Sequence, residues 1–489
     1  MREQLFHLSP ESGASLQGQL RETVVRAILD GHIPPGAALP SCRQLARQLG
    51  VARNTVVLAY QHLVDEGYLV ARERSGYYVN EDILAGRVAT EPQPPSNAAI
   101  FAPHWDARFR TTPSAWRNIV KPRDWHRYPY PFIYGQFDLA LFPVADWREC
   151  SRQALSVGAI RGWARDNVDN DDPALLEQIR TRVLPRRGVW ASPEQILVSV
   201  GAQHALYLLA TLLFDADTAV GIEDPGYVDA RNIFAMSKAK LTGLAVDESG
   251  LVCSDALDGC DYVYVTPSHQ SPTTVTMPMA RREALLARAT DADFVIIEDD
   301  YESEFNYVGQ PTPALKSLDR NDRVIHVGSL SKTLAPGLRL GFMVGPEELI
   351  REARALRRLM LRHPPANNER AVALFLQLGH HDSLVRRLSH AYKERWQVLG
   401  QALARHLPES SRMPTFGGTS YWVAGPPGLD ARVLEREAAR QGILIEPGDV
   451  FFLSPDAPRN CFRLGFSSIP VDRIEPGIER LAGIIHALL

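Results

Sequence analysis

Residues 324–341 read VIHVGSLSKTLAPGLRLG. The apolar run Val324–Gly328 has the makeup of a strand buried on both faces, and it runs into Ser329, Leu330, Ser331 and Lys332, polar groups set on a turn. Four other stretches share this build. QILVSV (195–200) leads to Gly201, Ala202 and Gln203 and then an apolar helix, and TAVGI (218–222) leads to Glu223, Asp224, Pro225, Gly226 and Tyr227. YVYVT (262–266) leads to Pro267, Ser268 and His269, and FVIIE (294–298) to Asp299, Asp300 and Tyr301. From about Trp116 to Leu489 such strands alternate with helical patterns, the signature of an α/β domain with a mostly parallel central sheet. Open parallel sheets bind ligands outside the carboxyl ends of their strands, so the five turns are expected to converge on one crevice.

The groups on those turns suit pyridoxal phosphate. That cofactor needs a lysine for a Schiff base, an acid facing its pyridinium nitrogen, donors and a cation for its phosphate, and a flat partner for its ring. Lys332 is the Schiff-base candidate, because a lysine behind a buried strand can be kept partly neutral and attack an aldehyde. Asp299 can hold the ring nitrogen protonated, Tyr301 can donate to the ring O3′, and Tyr227 can stack on the ring face. Ser329, Ser331 and Arg339 can bind the phosphate, helped by backbone N–H groups at Gly201 and Ala202, beside Gln203, where a helix starts. Taken singly, each residue has a plainer role: a solvated lysine, a helix-capping aspartate, a rim tyrosine. The Asp299–Asp300 pair could hold magnesium on spacing alone. The ordered set favours the cofactor, and no metal site is expected.

The first 80 residues differ in character. Leu16, Leu20, Val24, Ala27 and Ile28 fall at helical spacing. GHIPPGAALPS (31–41) then breaks the helix, and Ser41 can cap a second one with Leu45, Ala46 and Leu49 on its apolar face. Gly50 supplies a tight turn. A third helix is expected from about Arg53, with Val56, Tyr60, Leu63 and Val64 on one side, ending at Gly67. YLVARERSGYYVN (68–80) reads as a two-stranded ribbon turning at Ser75–Gly76. Helix, turn, helix and wing is a DNA-docking geometry, in which the second helix of the pair enters the major groove led by its N-terminal residues. Here those are Arg53, Asn54 and Thr55. Arg43 can reach the phosphate backbone from the preceding helix, and Arg72 and Arg74 lie on the wing. Charge alone leaves a protein-binding module open, since residues 1–80 hold eight Lys/Arg against seven Asp/Glu. Residues 81–115, with ATEPQPPSNAA (89–99), read as a semi-extended linker. The expected division is therefore 1–80, 81–115 and 116–489.

The stretch PPGAALPSCRQLARQLGVARNTVVLAYQHLVDEGYL (34–69) resembles the winged helix of the GntR family. VGAQHAL (200–206), EDPGY (223–227), TPSHQSPT (266–273), IIEDDYESEF (296–305), SLSKTLAPGLRLG (329–341) and FRLGFSS (462–468) resemble fold-type I aminotransferases. As a whole the chain resembles the MocR/GabR family, in which a GntR-type winged helix is fused to an aminotransferase-like domain. The resemblance implies the same roles for Lys332, Asp299, Tyr301, Tyr227, Ser329 and Arg339. It adds Arg463 as a clamp for an effector carboxylate or sulfonate, which a planar guanidinium fork suits. Two departures stand out. TPSHQSPTT lacks the usual glycine and carries Ser271 where aminotransferases have asparagine. GWARDNVDNDDPALLEQI (162–179) lacks the tyrosine–glycine pattern that often contacts a phosphate across a dimer, so Arg165 or another group would have to substitute. Both changes weaken transamination more than cofactor capture.

The resemblance thus implies a one-component regulator rather than an enzyme. A small amine, an amino acid or an aminosulfonate such as taurine, would displace Lys332 from the cofactor as an external aldimine and so control genes for its uptake or catabolism. The alternative is an active aminotransferase with an attached DNA-binding domain. A head-to-tail homodimer on double-stranded DNA with paired half-sites is expected. Composition agrees with this. The 489 residues are 45% hydrophobic with a formal net charge of −4, so any nucleic-acid contact rests on a local patch. Five scattered cysteines without a CxxC speak against a disulfide framework or structural zinc. With no secretion signal and no apolar run of membrane length, a cytoplasmic protein is expected.

Overall fold

The structure, a computed structural model, describes residues 15–84, 103–309, 311–413 and 415–489. Residues 85–102 of the expected linker lie outside the described residues. The chain forms two compact units, Met1–Arg108 and Phe109–Leu489.

In the first unit, helices span Leu16–Leu29, Cys42–Leu49 and Arg53–Asp65. The Ser41 hydroxyl accepts from the Gln44 N–H at 3.3 Å, satisfying one of the helix's orphan donors. Gly50 closes that helix in the left-handed conformation at φ 66°, where glycine carries no steric penalty. The strands Leu69–Arg72 and Gly76–Val79 pair antiparallel, with Arg72 opposite Gly76. Leu20, Val24, Leu45, Val56, Tyr60, Leu63, Leu69 and Val79 share a core of their own. Leu16 departs from the expected apolar face: it sits on the first turn and is exposed.

The second unit is built on an eight-stranded sheet. Its strand order is Ile196–Ser199, Gly341–Val344, Val324–Ser329, Val295–Asp300, Tyr262–Val265, Ala219–Asp224, Lys240–Asp247 and Gly250–Leu251. All run in one sense except Gly341–Val344 and Gly250–Leu251, which pair antiparallel with their neighbours. Successive side chains of a strand face opposite ways, so each central strand feeds two cores. Ile297 and Val327 pack with Leu206 and Leu209 of the helix Ala202–Leu213. Ile296 and Val324 pack with Leu285 of the helix Met279–Asp291. A smaller antiparallel sheet, ordered Ser411–Arg412, Ser420–Ala424, Cys461–Gly465 and Glu446–Pro447, carries Arg463 and Glu446 opposite one another. All five cysteines are free. Among the described residues no helix is long and apolar enough to cross a membrane.

Candidate functional site

The five parallel strand ends do converge. A cavity of about 380 Å³ is lined by Gly201, Ala202, Gln203, Tyr227, Asp299, Tyr301, Ser329, Ser331, Lys332, Arg339 and Arg463. Every residue expected at the cofactor or effector site is therefore on one wall or another. A second cavity of about 360 Å³, around Arg187 and Asp300, shares only Ser329 with that set.

Strand alternation separates the two aspartates. Asp299 faces the first cavity: its Oδ2 accepts from the Tyr264 hydroxyl at 2.8 Å, and its Oδ1 is buried with no partner. Burial pushes its carboxyl up to about 7, the neighbouring Asp300 charge adds to this, and Lys332 opposes it. Asp300 points the other way. Burial works against its charge, but an ion pair with Arg187, Nε to Oδ2 at 2.6 Å, holds it below the usual carboxylate range. The two acids share no common side, which removes the magnesium reading of the pair.

Lys332 is half-buried, with its amine 4.4 Å from the centre of the Tyr134 ring. Burial brings it down to about 8. Lys121 and Arg463 push the same way, while Glu302 and Asp299 resist. At neutral pH it thus holds a useful fraction of free amine.

The same cavity brings an arginine to an uncapped helix start. Gly201, at φ 79°, precedes the helix Ala202–Leu213, and no side chain caps that helix. A Cβ on Gly201 would stand 3.0 Å from Arg339 Nη2, so the missing side chain is what admits the guanidinium. Arg339 itself adopts a left-handed backbone at φ 48°, a strained conformation for a non-glycine residue. Its Nη2 reaches Gln203 Oε1 at 3.3 Å. Gln203 in turn donates to Asp229 at 2.6 Å, and the Tyr227 hydroxyl donates to the same oxygen at 3.1 Å.

Two expected residues are already committed elsewhere. The Ser331 hydroxyl donates to the Leu340 carbonyl and accepts from the Leu340 N–H, both at 3.3 Å, so it pins the turn. The Tyr301 hydroxyl donates to the His269 carbonyl at 2.8 Å, so donation to a ring oxygen requires its proton to turn.

Arg463 is 3% exposed. Its Nε donates to Glu446 Oε2 at 2.7 Å, and its guanidinium lies between the rings of Tyr134 at 4.2 Å and Phe451 at 4.6 Å. Lys121 meets the other Glu446 oxygen at 3.2 Å and also donates to the Tyr134 carbonyl. Sequence reasoning missed Lys121, Tyr134, Asp229, Glu302 and Glu446. Lys121 and Tyr134 come from a stretch with neither helical nor strand periodicity, and Glu446 is readable only once its strand is laid beside Arg463. Arg165 lies outside the cavity of its own chain, beside Trp163 and His363.

In the first unit, Arg43, Arg53 and Asn54 are exposed and Thr55 is half-buried. Ala52 gives the helix Arg53–Asp65 no side-chain cap, leaving its first N–H groups for an external acceptor. Arg74 sits at the ribbon turn with φ 60°. Arg72 pairs with Glu81 at 3.1 Å and lies 4.5 Å over the Tyr78 ring, so it is engaged within its own domain.

Residues 16–79 match the gntR family of bacterial regulatory proteins, and residues 138–481 match aminotransferase class I and II, whose members bind pyridoxal phosphate. The chain is 42% identical to the HTH-type transcriptional regulator TauR of Rhodobacter capsulatus over 98% of both chains. It is 32% identical to the probable rhizopine catabolism regulatory protein MocR of Rhizobium meliloti, over 98% of this chain and 96% of that one. Among solved structures it resembles LysN, the α-aminoadipate aminotransferase of Thermus thermophilus, complexed with N-(5′-phosphopyridoxyl)-L-leucine. That likeness has a TM-score of 0.70 and 27% identity, over 78% of this chain and 98% of that one.

Proposed function

The chain belongs to the MocR-type transcription regulators, which join a gntR-type DNA-binding domain to an aminotransferase class I and II domain, and from that premise we propose that it senses a small acidic amine with pyridoxal phosphate held around Lys332. The observation that carries this reading is the unpartnered, buried Asp299 Oδ1 in the same cavity as a lysine brought down to about 8. A buried acceptor without a donor is costly unless a ligand supplies one, and a protonated ring nitrogen does. The rest of the cavity fits the group as well. Arg339 and the uncapped N–H groups of Ala202 and Gln203 would hold the phosphate, and Tyr227 would lie against the ring.

When bound, pyridoxal phosphate supplies an aldehyde that condenses reversibly with primary amines. Lys332 would provide the resident amine that holds the group. Asp299 would face the ring nitrogen and favour its protonated form. Arg463, held flat between Tyr134 and Phe451, presents its free Nη donors to the effector's acid group, and Lys121 adds a second cation beside it. The pair suits a carboxylate or a sulfonate, and an aminosulfonate such as taurine is our leading effector class. The effector's preference for one of two conformations of a dimer would then alter operator binding. Arg53, Asn54 and Thr55 would enter the major groove, with Arg43 and Arg74 on phosphates. The protein would act in the cytoplasm as a head-to-tail homodimer on paired half-sites.

The test is an absorbance titration of purified protein with a panel of small amines, with operator binding followed in parallel. Wild type should be yellow and Lys332→Ala colourless. One amine should change both the spectrum and operator affinity. Protein that stays colourless with excess pyridoxal phosphate would sink the proposal, as would a spectral response without any change in DNA binding. Conversion to the pyridoxamine form with release of a keto product would favour a working aminotransferase instead.

A further inference from the structure

Glu302 stands one residue beyond the Tyr301 turn, and the cofactor reading gives it no role. It is 3% exposed. Its Oε1 accepts from the Thr419 hydroxyl at 2.6 Å, while its Oε2 is buried and has no partner. A small cavity of about 20 Å³ is lined by both Glu302 and Lys332. That volume holds one water, and a carboxylate oxygen and an amine are the polar partners a bridging water needs.

We propose that Glu302 is a positioning residue for Lys332: its free oxygen and the lysine amine share one proton across that small cavity, so that Lys332 is neutral when it acts as a nucleophile and is held as an ammonium when another amine has taken its place. This rests on the reading of Lys332 as the cofactor's lysine. The transfer balances simply. The Lys332 ammonium gives a proton to the bridging water, and the water gives one of its own to Glu302 Oε2. The reverse transfer restores the ion pair, and no electrons change hands. Burial pushes the Glu302 carboxyl up and the lysine down, so both shifts favour the neutral pair.

The surroundings leave Glu302 in this role. The charged groups facing Lys332 are Glu302, Asp299, Lys121 and Arg463, with the Tyr134 ring beneath it. Lys121 and Arg463 are cations and take no proton from it, and Asp299 is the acid expected to face the cofactor ring. Around Glu302 lie Lys332, Arg463 and the phenols of Tyr134, Tyr301, Tyr307 and Tyr392. Burial raises all four phenols, so none gives up a proton near neutral pH.

The experiment uses the cofactor-free full chain. Trinitrobenzenesulfonate labelling of Lys332 is read by peptide mass spectrometry against pH, for wild type, Glu302→Gln and Thr419→Val. A pair sharing a proton titrates in two steps, so the wild-type rate carries two inflections. Glu302→Gln should keep one inflection, with a midpoint lower by about one to two pH units, because the carboxylate that favoured the ammonium is gone. Thr419→Val keeps the carboxylate and should keep both steps. A single-step wild-type profile overturns the proposal even if Glu302→Gln does not fold, and so does a folded Glu302→Gln whose midpoint is unmoved. In the cofactor-loaded protein, the amine concentration that half-shifts the spectrum should rise about tenfold or more in Glu302→Gln. An unchanged value overturns the holding role. Because the labelling involves no cofactor, a colourless wild type would fail the functional reading separately.

Discussion

At Asp299 the cost of burying a carboxylate and the use of one meet in a single side chain. Its folded-state value of about 7 lies above the ordinary 3.8. Between those values the folded chain keeps a proton that the unfolded chain has lost, so this group's contribution to stability falls as pH rises through the window and stays low above 7. Asparagine carries no such proton. Cofactor-free Asp299→Asn should therefore melt no lower than wild type at pH 8, with the difference closing toward pH 4, while its affinity for pyridoxal phosphate falls about 10- to 100-fold. Thermal melts across pH and an absorbance titration check the two halves. Gly201→Ala acts on the same cavity. The new Cβ meets Arg339 Nη2 at 3.0 Å on a backbone at φ 79°, and the variant should lose about 1 kcal/mol of stability together with phosphate affinity. These residues were legible because each follows a strand whose apolar run is unmistakable. Lys121, Tyr134 and Glu446 were not, because their place depends on long-range pairing that no local pattern records. Ser331 was legible as a cavity residue, but the commitment of its hydroxyl to Leu340 shows only in three dimensions.

At the level of elements, the helix Cys42–Leu49 depends on its cap. Ser41→Ala removes the acceptor for the Gln44 N–H and should cost about 1 kcal/mol, read as a lower melting temperature of the first unit. The helix Arg53–Asp65 tests the DNA reading directly. Arg53→Ala should weaken operator binding about tenfold or more and reduce the salt dependence by about one charge, measured by titration at several ionic strengths. Three helices and a ribbon were all readable from apolar spacing and glycine positions, because their contacts are local. The sheet was readable as parallel because its strands are apolar on both faces. The reversed direction of Gly341–Val344 was not, since a short apolar run carries no sense of direction.

For the molecule as a whole, the sensing proposal has a thermodynamic signature. If the amine changes operator affinity by some factor, saturating operator must change amine affinity by the same factor. Spectral titrations with and without operator, set against operator titrations with and without amine, should return equal factors. Unequal factors would mean that the two ligands are not linked through one equilibrium. The two units also differ in how far along the chain their contacts reach. The wall of the cavity around Lys332 takes residues from Asn118 to Arg463, so it exists only when nearly the entire polypeptide has been made. The core of the first unit runs from Leu20 to Val79 and can close while the ribosome is still translating the remainder. A message cut short by a nonsense codon would therefore release a reader that still seeks promoters but is deaf to every metabolite.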